Sequence, residues 1–198
     1  MHYNARAWVN SIGTTWVQSV FEVKNTGTVP LYLSSGAYDL ERADGSLVRS
    51  SSLVSAFPQV INPDESAYYY EETTLDDAPK DGKLVIIPRP DVRVAKVKHI
   101  RYPVTDFQLS EGSYGRGIKM MGRVENTSAD KQNLVYVCAV FYDKNDDPIG
   151  VNFTIIMESM EPGSKIGFES STLSLPDDIT VDKIARYAVF AYPMQMQF

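Results

Sequence analysis

The chain has 198 residues, 25 acidic against 19 basic side chains, a net charge of −6 and a pI near 4.9. That balance argues against nucleic acid as a partner, because such binding depends on Lys and Arg neutralising phosphates. Ordinary apolar content argues against disorder, no stretch approaches the ~18 apolar residues of a membrane span, and a single cysteine, Cys138, excludes an intrachain disulfide or a cysteine-based metal cluster.

Met1-His2-Tyr3-Asn4-Ala5-Arg6 contains no apolar segment of the kind a signal peptide needs. From Trp16 to Val23 apolar residues alternate in imperfect two-fold fashion, which predicts a strand. Leu31-Tyr32-Leu33 and Tyr38-Asp39-Leu40-Glu41 predict the next. Ala43-Asp44-Gly45-Ser46 turns the chain, since Asp-Gly between strands supplies the positive φ of a tight hairpin. Leu47-Val48 returns. Ser52 to Phe57 has room for one helical turn at most, stopped by Pro58. Tyr68–Thr74, Lys83–Ile87 and Val94–Arg101 supply further strands. After a short link at Tyr102-Pro103-Val104-Thr105-Asp106, Val135–Tyr142 is apolar on both faces and predicts a buried central strand. Asp143 to Pro148 turns, Ile149–Met157 returns, Glu161-Pro162-Gly163 turns again and Ile166–Glu169 follows.

The chain says nearly the same thing twice. Val23-Lys24-Asn25-Thr26 reappears as Val124-Glu125-Asn126-Thr127, and one constant spacing then pairs Leu33 with Leu134, Leu40 with Phe141 and Val48 with Ile149. Asn62-Pro63-Asp64-Glu65 meets Glu161-Pro162-Gly163-Ser164 at a slightly shorter spacing, and Val94-Ala95-Lys96 through Tyr102-Pro103 is set against Ile184-Ala185-Arg186 through Tyr192-Pro193. A period this long exceeds any solenoid unit and has the size of a small domain, roughly 95 residues. Short strands at regular spacing with turn residues between them predict β-sandwiches. The expected architecture is therefore all-β: two tandem Ig-like antiparallel sandwiches, residues 1–104 and 105–198, related by internal duplication.

Nucleophilic catalysis needs a base beside a Ser or Cys, and the chain has only His2 and His99. His99, between Lys98 and Ile100, reads as a surface-strand histidine whose neighbouring positive charges lower its basicity. Cys138, mid-strand among apolar residues, reads as a buried inert thiol. Gly112-Ser113-Tyr114-Gly115-Arg116-Gly117 lacks the Gly-Lys-Ser/Thr ending of a phosphate loop and opens no helix. Asp143, Asn145 and Asp147 begin like a calcium loop, with oxygen ligands at alternate positions, but Pro148 and Thr154 stand where such a loop needs Gly and Glu. An acidic hairpin turn is the plainer reading.

Two binding candidates remain. Tyr68-Tyr69-Tyr70 on a strand requires at least one ring to face outward, a surface suited to sugar or protein contacts. Lys80, Lys83, Arg89, Arg93, Lys96, Lys98 and Arg101 form a basic strip that could face a polyanion or simply guard an exposed sheet edge. No catalytic residue and no cofactor is expected.

The second copy resembles the FxLYD-type domain over roughly residues 117–173. The residues that carry this are Val124-Glu125-Asn126-Thr127, then Val137-Cys138-Ala139-Val140-Phe141-Tyr142-Asp143 with Ile149-Gly150, then Met160-Glu161-Pro162-Gly163 with Phe168. The first copy has Tyr38-Asp39-Leu40-Glu41 in place of Phe-Tyr-Asp. The resemblance implies a bacterial Ig-like sandwich of secreted proteins and lipoproteins, hence a non-catalytic module at the cell envelope, with the cytoplasm as the alternative compartment. The expected partner is a protein or a cell-wall polymer. Rival expectations are a carbohydrate- or anionic glycopolymer-binding module, and an enzyme with a carboxylate pair the sequence does not single out.

Overall fold

The computed structural model describes residues 2–9, 13–54, 56–76, 84–112, 117–171 and 179–194. Lys80, Lys83, Ser113–Arg116 and the side chains of His2 and Trp8 lie outside that description. The described residues are nearly all β, and none is in an α-helix. The chain divides into two compact units, Met1–Lys98 and His99–Phe198.

The first unit holds β1 (His2–Val9), β2 (Thr15–Lys24), β3 (Leu31–Leu33), β4 (Gly36–Glu41), β5 (Leu47–Leu53), β6 (Ala56–Phe57), β7 (Val60–Ile61), β8 (Ser66–Leu75), β9 (Val85–Arg89) and β10 (Val92–Val94). Its sheets run β1-β2-β8-β6, β5-β4-β9 and β10-β3-β7. The first two sheets face each other. Val17, Phe21, Ala67 and Tyr69 from one share a single apolar cluster with Tyr38, Leu40, Leu53 and Ile86 from the other. Two-residue alternation explains it: every second side chain of β2 and β4 enters the shared layer.

The second unit holds β11 (Val104–Glu111), β12 (Ile118–Glu125), β13 (Val135–Tyr142), β14 (Pro148–Ile156), β15 (Lys165–Ser171), a 3₁₀ turn at Val181–Lys183 and β16 (Arg186–Pro193). Its sheets are β11-β12-β15 and β14-β13-β16. Ile118, Met120, Val124 and Phe168 meet Val137, Ala139, Phe141 and Ala191 in one core. β13 is central in its sheet, as its two-faced apolar run requires, and none of its residues is exposed.

Each unit contains the same local devices. Asn25 and Asn126 are buried polar residues just beyond β2 and β12. Asn25 Nδ2 donates to the carbonyls of Val29 (2.9 Å) and Ile61 (3.3 Å), and its Oδ1 accepts from Gly27 N (3.0 Å). Asn126 Nδ2 donates to Asp130 and Met160 carbonyls, both at 2.9 Å, and its Oδ1 accepts from Ser128 N at 3.0 Å. Backbone bonds tie Asn25 to Asp64 and Glu65, and Asn126 to Gly163 and Ser164. Asp64 and Gly163 both have positive φ, 65° and 76°. The β4–β5 and β13–β14 hairpins also match: both have a register shift before the turn and a left-handed residue in it, Gly45 and Asp146.

Three expectations need correction. The strand expected over Val94–Arg101 stops at Val94, which pairs with Leu31, the first residue of β3; Pro30 before it has no N–H to extend the ladder. The strand that lies beside β4 as β16 lies beside β13 is β9, not that segment. The link at 102–106 is part of the second unit: Tyr102 bridges to Ala191 and enters the core, and β11 begins at Val104. Around Ser52–Phe57 the described residues form the end of β5 and the short β6 rather than a helical turn.

Candidate functional site

Tyr68, Tyr69 and Tyr70 lie on β8, an interior strand. Tyr69 points into the core, stacks on Phe21 with ring centroids 5.1 Å apart, and donates its hydroxyl to the Ser34 carbonyl at 2.9 Å. Tyr68 is buried. Tyr70 is half-buried, donates to Glu72 and accepts from Gln18 Nε2 at 3.0 Å. None of the three rings is exposed, contrary to the outward ring that alternation led us to expect. Burial pushes the Tyr69 and Tyr70 phenols up, so both remain protonated donors.

The basic strip is divided between the two units, and its Lys80 and Lys83 lie outside the described residues. Arg89 is exposed and forks onto Asp39, with Nη2 2.9 Å from Oδ1. That guanidinium, with the Ser50 hydroxyl at 2.6 Å, holds the Asp39 carboxyl at about 2. Arg93 pairs with Asp91 at 2.7 Å, and Ser34 donates to the same carboxylate at 2.8 Å. Lys96 and Lys98 are exposed in the first unit. Arg101, in the second, lies over the Phe190 ring at 5.3 Å.

The surface-strand reading of His99 also gives way. His99 is only 6 % exposed, belongs to no strand, sets its ring edge against Tyr192 and receives Arg101 Nε on Nδ1 at 3.5 Å. Cys138 is fully buried, and desolvation pushes its thiol up. Asp143 Oδ1 accepts from Asn145 N (2.8 Å) and Asp147 N (3.0 Å), and Asn145 Nδ2 reaches its other oxygen at 3.3 Å. The carboxylate thus closes its own turn. Among the described residues no group of three or more His, Cys, Asp or Glu is placed to hold a metal.

A shallow, open concavity in the second unit involves none of these. It lies over the β11-β12-β15 sheet, has a volume of about 580 Å³ and is walled by Asp106, Gln108, Met121, Arg123 and Glu169, with Gly122, Gly167 and Phe168. Gln108, Met121 and Glu169 are direct cross-strand partners in one row, and Arg123 faces Gly167 in the adjacent row. A β-bulge between Thr105 and Gln108 puts Asp106 at φ 53° and brings its Oδ2 to 3.7 Å from Arg123 Nε. Glu169 pairs with Lys119 at 2.7 Å. The sequence signal for this place was present: isolated glycines inside strands mark bulges or close approaches.

No family model matches the chain, and no curated protein does. Among solved structures the chain is similar to a calcium-binding mutant of Bacteroides uniformis beta-glucuronidase 2, at 10 % identity and a TM-score of 0.29, over 97 % of this chain and 26 % of that one. It is also similar to a beta-glucuronidase from glycoside hydrolase family 2, at 9 % identity and a TM-score of 0.22, over 93 % and 20 %. The chain therefore spans about a quarter or less of those enzymes' length.

Proposed function

We propose that this chain is a non-catalytic module of the cell envelope or the secreted fraction, made of two copies of one Ig-like sandwich and acting by surface contact with a protein or cell-wall polymer. The observation that carries this reading is where the reactive-looking side chains spend their bonding capacity. Asp143 closes its own hairpin, Arg89 pins β9 to β4 through Asp39, and Tyr69 anchors β8 to Ser34. These groups serve the scaffold. The paired asparagine knots and paired hairpins support the duplication, since both recur at matching strand positions in both units. The resemblance over residues 117–173 supports the compartment.

The test is fractionation of cells carrying the full-length gene, followed by incubation of the purified chain with a panel of chromogenic glycosides, esters and phosphoesters. Recovery in the envelope or medium with no turnover supports the proposal. Recovery in the cytosol overturns the compartment, and turnover abolished by one carboxylate substitution overturns the non-catalytic reading.

A further inference from the structure

The geometry points to the groove over the β11-β12-β15 sheet as a binding site for a neutral oligosaccharide. This goes beyond the envelope-module reading and stands or falls separately from it.

The shape comes from two strand features. Gly167 carries no side chain where its strand neighbours on that face, Lys165 and Glu169, carry long ones. A Cβ placed there meets nothing nearer than the Gly122 carbonyl at 3.9 Å, so the space is open. On the other side the bulge in β11 turns Asp106 into a left-handed conformation and onto the groove rim beside Arg123. Aspartate tolerates that conformation, as Asp64 and Asp146 do in turns of this chain, and here it sets the carboxylate on the rim. The groove is open along its length rather than enclosed; its volume of about 580 Å³ lies within the range of small-molecule sites, roughly 300–1,000 Å³, and its shape suits a ligand laid along the surface.

The chemistry selects the ligand class. Each groove carboxylate already has a cation: Asp106 has Arg123 and Glu169 has Lys119. A phosphate or uronate would meet two carboxylates, and a metal ion would meet the guanidinium and the ammonium. A hydroxyl suits the site better, because it donates to a carboxylate oxygen while accepting from Arg123 or the Gln108 amide. Neighbouring hydroxyls on a sugar can use a carboxylate and its cation together. Met121 points to this face, half-buried and outside the core cluster, and offers its polarisable thioether to the C–H face of a pyranose.

The experiment uses the full chain on an array of neutral gluco-, xylo- and manno-oligosaccharides, with uronic-acid oligosaccharides, inorganic phosphate and Ca²⁺ as counter-probes. Hits are titrated by calorimetry. The expected result is retention of at least one neutral oligosaccharide with Kd below about 1 mM. Gly167→Trp, which fills the groove, and Arg123→Ala, which removes an exposed donor, should each weaken that binding at least tenfold. Lys131→Ala, in an exposed pair with Glu161, should not change it. Thermal melts check that each variant folds, and Arg123→Ala alone decides the matter if Gly167→Trp does not. No retained neutral sugar, retention of acidic sugars only, or a hit unaffected by Arg123→Ala overturns the proposal.

Discussion

Gly122 lies directly across β12–β15 from Phe168, and the phenyl ring covers it: a Cβ built on Gly122 would fall 2.9 Å from Phe168 Cζ. At the β2–β8 position nearest in layout, the first unit sets Phe21 opposite Tyr69, ring on ring. One unit fills this cross-strand site with two rings. The other fills it with one ring laid over a glycine, with Phe107 tilted against it at 6.5 Å.

Gly122→Ala should therefore destabilise the second unit. The new methyl group meets the ring on one side and the Thr105 carbonyl at 3.1 Å on the other, so a ring shift alone does not relieve it. We expect a loss of about 1–3 kcal/mol in urea unfolding. Gly167→Ala, with open space around its Cβ, should stay within about 0.5 kcal/mol of the parent. Equal effects would contradict the packing described.

Asn126→Ala removes a side chain that satisfies three backbone groups at once, the Met160 carbonyl being held in a buried bond. The Met160 carbonyl keeps the Gln132 N–H and the Asp130 carbonyl keeps the Ser128 hydroxyl, but Ser128 N loses its acceptor and the buried site loses the amide that fills it. A loss of about 1–3 kcal/mol is expected from the second unit's transition in denaturant. Asn25→Ala should act likewise on the first.

The fragment 99–198 should fold cooperatively and outlast 105–198. The shorter piece loses Tyr102, which is 3 % exposed, donates its N–H to the Ala191 carbonyl at 2.8 Å and packs in the core. Removing a buried aromatic costs about 3–5 kcal/mol. Matching urea midpoints for the two fragments would show that residues 99–104 contribute nothing.

Asp39 gives a pH test. Its folded pKa, about 2, lies below the ordinary 3.8, so its pairing with Arg89 and Ser50 favours the folded state above about pH 4. That contribution is lost as pH falls from about 4 towards 2. The side chain is exposed to screening, so the effect on stability is small and the titration is the better readout. Carboxyl NMR should find Asp39 near 2 in the parent and nearer 3.8 in Arg89→Ala.

Cys138 should resist a thiol reagent at pH 8 in native buffer and react on addition of denaturant. Its burial leaves neither access nor thiolate. Fast native labelling would mean that β13 opens.

What the sequence disclosed follows from the range of its signals. β13 and its hairpin were legible because a β-branched, two-faced apolar run ended in Asp143-Lys144-Asn145-Asp146, and both features are local. β11 was missed because its bulge at Asp106 breaks the alternation that marks a strand, leaving Phe107 and Leu109 against the core and Asp106 outside. The Tyr68–Tyr70 run was misjudged because alternation assigns faces and does not say which of them is covered. The strand expected past Val94 failed for a reason held far away in sequence, the missing amide of Pro30. The groove needed three strands brought side by side, and only its glycines hinted at it.

The concealment of Cys138 makes the natural chain a convenient parent for chemical attachment. Lys144 sits exposed in a hairpin tip whose shape is set by bonds from Asp143 to its other neighbours. Lys144→Cys would therefore place one accessible thiol on the surface, ready for a dye, a spin probe or a solid support, with no native cysteine to remove first.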